Sequence, residues 1–276
     1  MKDGCIPLNG LRYFYRMEGS GKLLLLLHGF TGSSETWRSH MPVFAAKGYC
    51  VAALDLPGHG KTEIPANINR FGLEAVYKDI AQFIAFLGAT QQDTILLGYS
   101  MGARTALYAA LQGVCGALIL ESGSPGLNTE AERALRRDAD ERLAKMLDEQ
   151  GVPQFIEYWE RIPLFASQAR LPQEILAEQK TQRLANSAAG LAGSLRGAGT
   201  GVMPNLRPQL TALTIPTLLI SGELDEKYTA IATECARQAP NAQTAVCRTA
   251  GHAVHLEDPE WFRQTTLNFI HGGVYV

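Results

Sequence analysis

Apolar residues come in short runs along this chain, at positions 23–27, 49–54, 94–97, 114–120, 216–220 and 244–247, each closed by glycine, proline or a polar residue. Runs of that length bounded by turn formers read as strands buried on both faces. Between several of them the period changes to that of a helix. Residues 75–87 place Val76, Ile80, Phe83, Ile84 and Leu87 on one face, and 101–111 and 261–270 repeat the pattern. Ahead of the first run, residues 5–18 alternate around Asn9-Gly10, a pair that supplies the positive φ angles of a tight hairpin turn. Buried runs alternating with amphipathic helices predict an α/β fold, a mostly parallel sheet of about eight strands with helices on both faces.

One connection is too long for that scheme. About 95 residues separate Glu121 from Pro216, where a crossover needs one helix and two short loops. Residues 130–149, 153–160 and 172–185 carry helical patterns, and a glycine-rich stretch runs from Gly190 to Gly201. The expected organisation is a core of residues 1–124 and 208–276, interrupted by a helical lid at 125–207.

Composition narrows the functional classes. With 25 basic and 27 acidic residues the net charge is −2, which excludes nucleic-acid binding through bulk positive charge. The apolar run at 23–27 is far shorter than the roughly 20 residues of a membrane span or the 7 or more of a signal core, so no membrane insertion is expected. Cys5, Cys50, Cys115, Cys235 and Cys247 form no CxxC and no metal-ligand spacing. They read as reduced thiols of a cytoplasmic protein.

The chemistry begins at Gly98-Tyr99-Ser100-Met101-Gly102, a G-x-S-x-G between a predicted strand and a predicted helix. There the chain must reverse sharply, and small neighbours leave room for a serine held at the carboxyl end of the sheet. A serine hydroxyl is a poor nucleophile or base unless an imidazole activates it. His252, on the loop after the last apolar run, is the favoured partner, with His255 the competitor and a surface or helix-start residue otherwise. The orienting carboxylate is Asp225, after the run at 216–220, with Glu223 as the alternative. Ser100, Asp225, His252 is the chain order of α/β-hydrolases. Backbone N–H groups of Phe30 and Met101 are placed to hold developing negative charge. His28 reads as a structural loop residue.

Two other patterns carry no function. Gly58-His59-Gly60-Lys61-Thr62 contains a GKT, but a phosphate-binding loop needs glycine where this chain has Asp55. The six histidines show no metal-binding spacing, so neither metal nor other cofactor is expected.

The substrate class is written in arginines. Arg104 lies one helical turn after Ser100, on nearly the same face, where a guanidinium suits a carboxylate substrate; a surface salt bridge is the alternative. Residues 161–209 hold six basic side chains (Arg161, Arg170, Lys180, Arg183, Arg196, Arg207) against Glu174 and Glu178, in a half-lid expected to face the pocket. Arg183 has Gln179 rather than a carboxylate one turn back, whereas Arg136 has Glu132 there, which offers a solvated pair. Trp159, among Phe155, Ile156 and Tyr158, is either lid core or a wall for a flat ring.

Leu27-His28-Gly29-Phe30-Thr31-Gly32-Ser33, Asp55-Leu56-Pro57-Gly58-His59-Gly60, the serine motif through Arg104, and Glu121-Ser122-Gly123-Ser124-Pro125-Gly126-Leu127 also run in register with one known family. So do residues 159–165, Ser194-Leu195-Arg196-Gly197 and Ala250-Gly251-His252. The chain resembles the 2-succinyl-6-hydroxy-2,4-cyclohexadiene-1-carboxylate synthases of menaquinone biosynthesis, across the lid as well as the core. The resemblance implies a lyase that removes a ring proton from a succinyl- and enolpyruvyl-bearing cyclohexene carboxylate and expels pyruvate. It implies Ser100 as base, His252 and Asp225 behind it, Phe30 and Met101 amides on the enolate oxygen, and a polycarboxylate substrate held by Arg104, Arg136 and Arg183. Tyr99 and Trp159 match the family's pocket aromatics. Ala103 and Ala198 depart from the usual residues at their positions and bear on packing only. The competing readings are a carboxylesterase or C–C-bond hydrolase with an anionic substrate, and a non-catalytic binding protein.

Overall fold

The five consecutive leucines at 23–27, each 0–2% exposed, form the middle of a sheet sealed on both faces. The computed structural model describes residues 1–272. Its strands are β1 (Lys2–Leu8), β2 (Leu11–Glu18), β3 (Lys22–Leu27), β4 (Tyr49–Leu54), β5 (Thr94–Tyr99), β6 (Ala117–Glu121), β7 (Thr217–Gly222) and β8 (Ala242–Cys247). They pair in the order β1-β2-β4-β3-β5-β6-β7-β8. β1 and β2 form the hairpin, with Asn9 (φ 46°) and Gly10 (φ 82°) at its turn, and β2 runs antiparallel to β4. From β4 to β8 every neighbour is parallel. Parallel pairing requires crossovers, and these lay helices on both faces.

The helices are α1 (Met41–Ala45), α2 (Leu73–Phe86), α3 (Met101–Leu111), α4 (Glu130–Trp159), α5 (Gln173–Leu184), α6 (Ala188–Ala198), α7 (Glu226–Gln238), α8 (Val254–Glu257) and α9 (Pro259–Ile270). One face of the sheet buries Val76, Ile80 and Phe83 of α2, Ala106 and Leu107 of α3, and Ala232 and Cys235 of α7. The other buries Met41 and Phe44 of α1, Val254 of α8 and Phe262 of α9. Among the described residues no helix is long and apolar enough to cross a membrane.

The long connection between β6 and β7 carries α4, α5 and α6, and α4 and α6 share a core of Ala144, Leu147, Phe155, Ile156, Leu191 and Leu195. α4 breaks at Gly151 (φ 77°, ψ 177°), so the two predicted helical patterns are halves of one kinked element. The glycine-rich stretch is itself largely helical. Its glycines lie where α6 presses on backbone and rings: a Cβ on Gly190 would strike the Gly58 carbonyl, and one on Gly193 the Phe71 ring. α7 escapes the apolar pattern because only Ala232 and Cys235 of its thirteen residues are buried.

The turn from β5 into α3 is the tightest point of the core. A Cβ on Gly98 would run into the Gly102 carbonyl, and one on Gly102 into the Leu27 carbonyl of β3. Backbone therefore packs directly on backbone, and Ser100 between them takes φ 51° and ψ −103°, a conformation L-residues rarely adopt. Gly102→Ala should lower stability by about 3 kcal/mol or more, because the obstructing atoms are strand backbone and cannot rotate away. Thermal denaturation should show a fall on the order of 10 °C; an unchanged midpoint would contradict the contact.

Candidate active site

Ser100 is the N-cap of α3, and its own N–H donates to the Glu121 carbonyl at 2.8 Å, which pins the turn to β6. Beyond β7, Asp225 caps α7: its Oδ1 accepts from the Tyr228 N–H at 3.2 Å. Its other oxygen, Oδ2, accepts from His252 Nδ1–H at 2.7 Å. With that proton on Nδ1, Nε2 is free to accept from the Ser100 hydroxyl, 3.0 Å away. Asp225 and His252 are both buried. The structure thus brings Ser100, His252 and Asp225 into one hydrogen-bonded chain and leaves the two alternatives outside it. Glu223 is exposed. His255 is buried rather than at the surface, because Glu121 claims it: its Nδ1 and its backbone N–H each donate to that carboxylate at 2.9 Å.

Met101 opens α3, so its N–H is among the first four of the helix that lack an intrahelical acceptor. Phe30 follows β3, and both residues line a cavity of about 290 Å³ together with Ser100 and His252. Trp159 and Phe165 form its aromatic wall with Phe30. Trp159 also stacks on Phe155 at 5.6 Å inside the inserted helices, so it is core on one face and cavity wall on the other. Tyr99 lines this cavity and a second one of about 420 Å³.

Arg104 and Arg136 also line the triad's cavity. The Arg104 guanidinium donates to the Ala198 carbonyl at 2.7 Å, and among the described residues it forms no salt bridge. Burial pulls its pKa down to about 10, so it remains a cation at neutral pH. Among the described residues no three metal-ligating side chains gather anywhere.

A family model for the α/β-hydrolase fold matches residues 22–259. The chain is 37% identical over 266 residues, 95% of its length and 96% of the relative's, to a Bacillus subtilis (strain 168) protein provisionally named 2-succinyl-6-hydroxy-2,4-cyclohexadiene-1-carboxylate synthase. It is 35% identical over 245 residues, 86% of this chain and 88% of the other, to the synthase of that name from Salmonella agona (strain SL483). The solved structure of MenH from S. aureus superposes with a TM-score of 0.89 at 37% identity, covering 93% of this chain and 97% of that one. The chain belongs to this synthase family. The resemblance read from the motifs therefore holds across the fold.

Within this synthase-family chain the arginines are arranged differently from the charge count. Arg136 does not pair with Glu132, because Glu132 closes a capping box, accepting from the Thr129 N–H at 2.8 Å and its hydroxyl at 3.0 Å. Arg136 instead donates through Nε to Asp140 at 2.8 Å. Arg183 lines the second cavity rather than the triad's, and its partner is Glu160 at 3.2 Å, from the end of α4. Four of the six basic side chains at 161–209 meet acids from outside that segment. Arg196 is held by Glu141 and Asp148 at 2.8 and 2.9 Å, and Arg170 by Glu257 at 3.2 Å. Lys180 lies 4.0 Å from Glu160, Arg207 donates to the Gly126 carbonyl, and Arg161 is exposed.

Three residues of the site escaped sequence reading. Tyr228 sits 4.6 Å from the His252 ring, and its signal is its place in the first turn after Asp225. Glu257 accepts from the N–H groups on both sides of His252, Gly251 at 2.9 Å and Ala253 at 3.2 Å, which fixes the loop that carries the imidazole. Asp140 could have been found one helical turn after Arg136.

His28, His40 and His59 are buried and structural. His28 shows how: Nε2 accepts from the Leu56 N–H at 3.0 Å while Nδ1–H donates to the Gly29 carbonyl at 2.8 Å. Burial lowers His28 to about 4, and His40 and His59 to about 3. The unfolded chain takes up these protons near pH 6.5, so stability is full above that value and falls with pH until the folded groups titrate. His40→Phe should remove about 2 kcal/mol of the stability difference between pH 7 and pH 5. Urea unfolding at both pH values checks it; an unchanged difference would mean His40 is charged in the fold.

Proposed function

We propose that the chain is a carbon–oxygen lyase of menaquinone biosynthesis. It eliminates pyruvate from 2-succinyl-5-enolpyruvyl-6-hydroxy-3-cyclohexene-1-carboxylate and leaves 2-succinyl-6-hydroxy-2,4-cyclohexadiene-1-carboxylate. The observation that carries the reading is Arg104: a half-buried cation that forms no salt bridge among the described residues, one helical turn from Ser100 and lining the same cavity as His252. A guanidinium held by a carbonyl rather than a carboxylate keeps donors free for an incoming carboxylate. The names of the relatives supply which anion.

In the proposed mechanism His252 holds the Ser100 proton through Nε2, so that the serine oxygen acts as base on the ring carbon next to the succinyl ketone. Asp225 keeps the imidazole in the required tautomer and stabilises the imidazolium that forms. The electron pair left on carbon spreads to the ketone oxygen, where the N–H groups of Phe30 and Met101 receive the charge. As the pair returns through the ring, the bond between the ring carbon and the enolpyruvyl oxygen breaks. Pyruvate leaves as its enolate and takes up a proton from the imidazolium, which restores the resting state. Arg104 and Arg136 hold substrate carboxylates. Arg183 acts from the neighbouring cavity, which shares Phe30, Tyr99 and Phe165 with the first. Tyr99 and Trp159 flank the ring. In this reading residues 125–207 are the lid that excludes water from the enolate. Five unpaired cysteines suit a reducing cytoplasm, which we propose as its compartment.

The decisive assay is pyruvate release from the enolpyruvyl cyclohexene, generated in situ from chorismate by the preceding enzyme and followed against the uncatalysed background. Release well above background that Ser100→Ala abolishes is the expected result. Background release beside brisk cleavage of a p-nitrophenyl ester would make the chain a carboxylesterase. Arg104→Ala should reduce turnover of the anionic substrate by about 2–5 kcal/mol of transition-state binding and leave a neutral ester nearly untouched. Equal losses on both substrates would remove Arg104 from the carboxylate clamp.

A further inference from the structure

A cavity built to receive carboxylates contains a carboxylate of its own. Asp140, on α4, is 3% exposed and lines the cavity of Ser100 and His252. Placed among substrate carboxylates it would repel them, so its retention there needs a reason. Its Oδ1 accepts from Arg136 Nε at 2.8 Å, and its Oδ2 has no hydrogen-bond partner. Oδ2 instead abuts the backbone of Gly199, where a Cβ would collide with it. The carboxyl group thus lies between α4 and the end of α6, with Oδ1 on Arg136 and Oδ2 toward Gly199.

The choice of nitrogen matters. A guanidinium has one Nε–H and a terminal pair of Nη groups, and the terminal pair can grip a carboxylate end-on. Among the described residues Arg136 makes its hydrogen bond through Nε, and its side chain is 40% exposed. Nη1 and Nη2 remain available to an incoming ligand. Burial raises the Asp140 pKa while Arg136 and Arg104 pull it down, so two cations from two helices, α4 and α3, share this one acid.

We propose that Asp140 is the positioning residue of the carboxylate clamp: it locks Arg136 through Nε and so presents the Nη pair to a substrate carboxylate. This rests on the polycarboxylate reading given above. Positioning and bare charge act in opposite directions. If Asp140 contributed only its negative charge, removing it would draw anions in and lower KM. If it aims Arg136, removing it raises KM.

The test is steady-state pyruvate release by wild type, Asp140→Ala, Asp140→Asn, Arg136→Ala and the double variant Arg136→Ala/Asp140→Ala. Wild-type release is measured first; its absence would overturn the functional reading, whereas the inference about Asp140 is judged against an active wild type. Asp140→Ala should raise KM about tenfold with kcat nearly unchanged, the loss of one charge-assisted hydrogen bond. Asp140→Asn keeps an oxygen acceptor for Nε and should recover most of that loss. The double variant should be no worse than Arg136→Ala alone, since nothing is left to position. A KM that is unchanged or lower in Asp140→Ala, or losses that add in the double variant, would overturn the proposal. Should Asp140→Ala fail to fold, arginine Nε–H resonances of the 15N-labelled wild type decide. One slowly exchanging signal, absent in Arg136→Lys, is expected to persist when pyruvate or succinate is added. Exchange as fast as in free arginine would overturn the lock.

Discussion

Backbone pressed on backbone between β3, β5 and α3 is the constraint on which the rest of the site depends. Gly102 sits against the Leu27 carbonyl and Gly98 against Gly102, leaving Ser100 no conformation but a left-handed one. That geometry holds the hydroxyl up from the sheet edge and puts the Met101 N–H at an open helix terminus. Everything else arrives at the same edge because the sheet is parallel: β3, β6 and β7 all end there, delivering Phe30, Glu121 and Asp225. The strain at Ser100 is offset by burial on both faces of β3 and β5, whose leucines are almost wholly buried.

Electrostatics inside the cavity follow a different rule from electrostatics outside it. On the surface the inserted helices pair their charges locally, Arg133 and Arg137 on Glu130 and Arg196 on Glu141 and Asp148, and such pairs contribute little. Inside, every charge has a geometric reason. Arg104 is tied to a carbonyl rather than a carboxylate and feels Asp140 only through space. Arg136 is tied through one nitrogen only. Arg183 is paired with Glu160 through Nη1 and stands over the Phe165 ring at 5.2 Å, on the far side of the aromatic wall.

Legibility in the sequence tracked how local the determining interaction is. The strands, the hairpin at Asn9-Gly10 and the order Ser100, Asp225, His252 were readable because periodicity, turn chemistry and strand-end position are local properties. α7 was not, since two buried residues in thirteen leave almost no periodic signal. The helix over 188–198 was not legible either, because its glycines answer to distant neighbours, the Gly58 carbonyl and the Phe71 ring. The charge count over 161–209 misled because it stopped at a segment boundary; Glu141, Asp148, Glu160 and Glu257, which meet four of the six basic side chains there, lie outside that window. Arg136 shows the same limit at closer range. Glu132 was the nearest acid in one direction, but the capping box at Thr129 had prior use of it.

What separates proton abstraction from acyl transfer in such a site is not the triad, because the same three side chains and two amides serve either reaction. The difference lies in which atom of the substrate is brought to the Ser100 oxygen. A carbonyl carbon there leads to an acyl-enzyme, whereas a C–H bond there leads to an enolate whose oxygen reaches the same amides. In the proposed reaction, placement is set at the other end of the cavity, by the cations and the ring wall, about one helical turn or more from the serine. The fold supplies a strained serine with a waiting imidazole, and in the proposed reaction Arg104, Arg136 and Trp159 decide what that serine meets. On this argument the chemistry is selected by α4 and α6, the elements least constrained by the sheet, through how they fix the arginines rather than through anything they add to the triad.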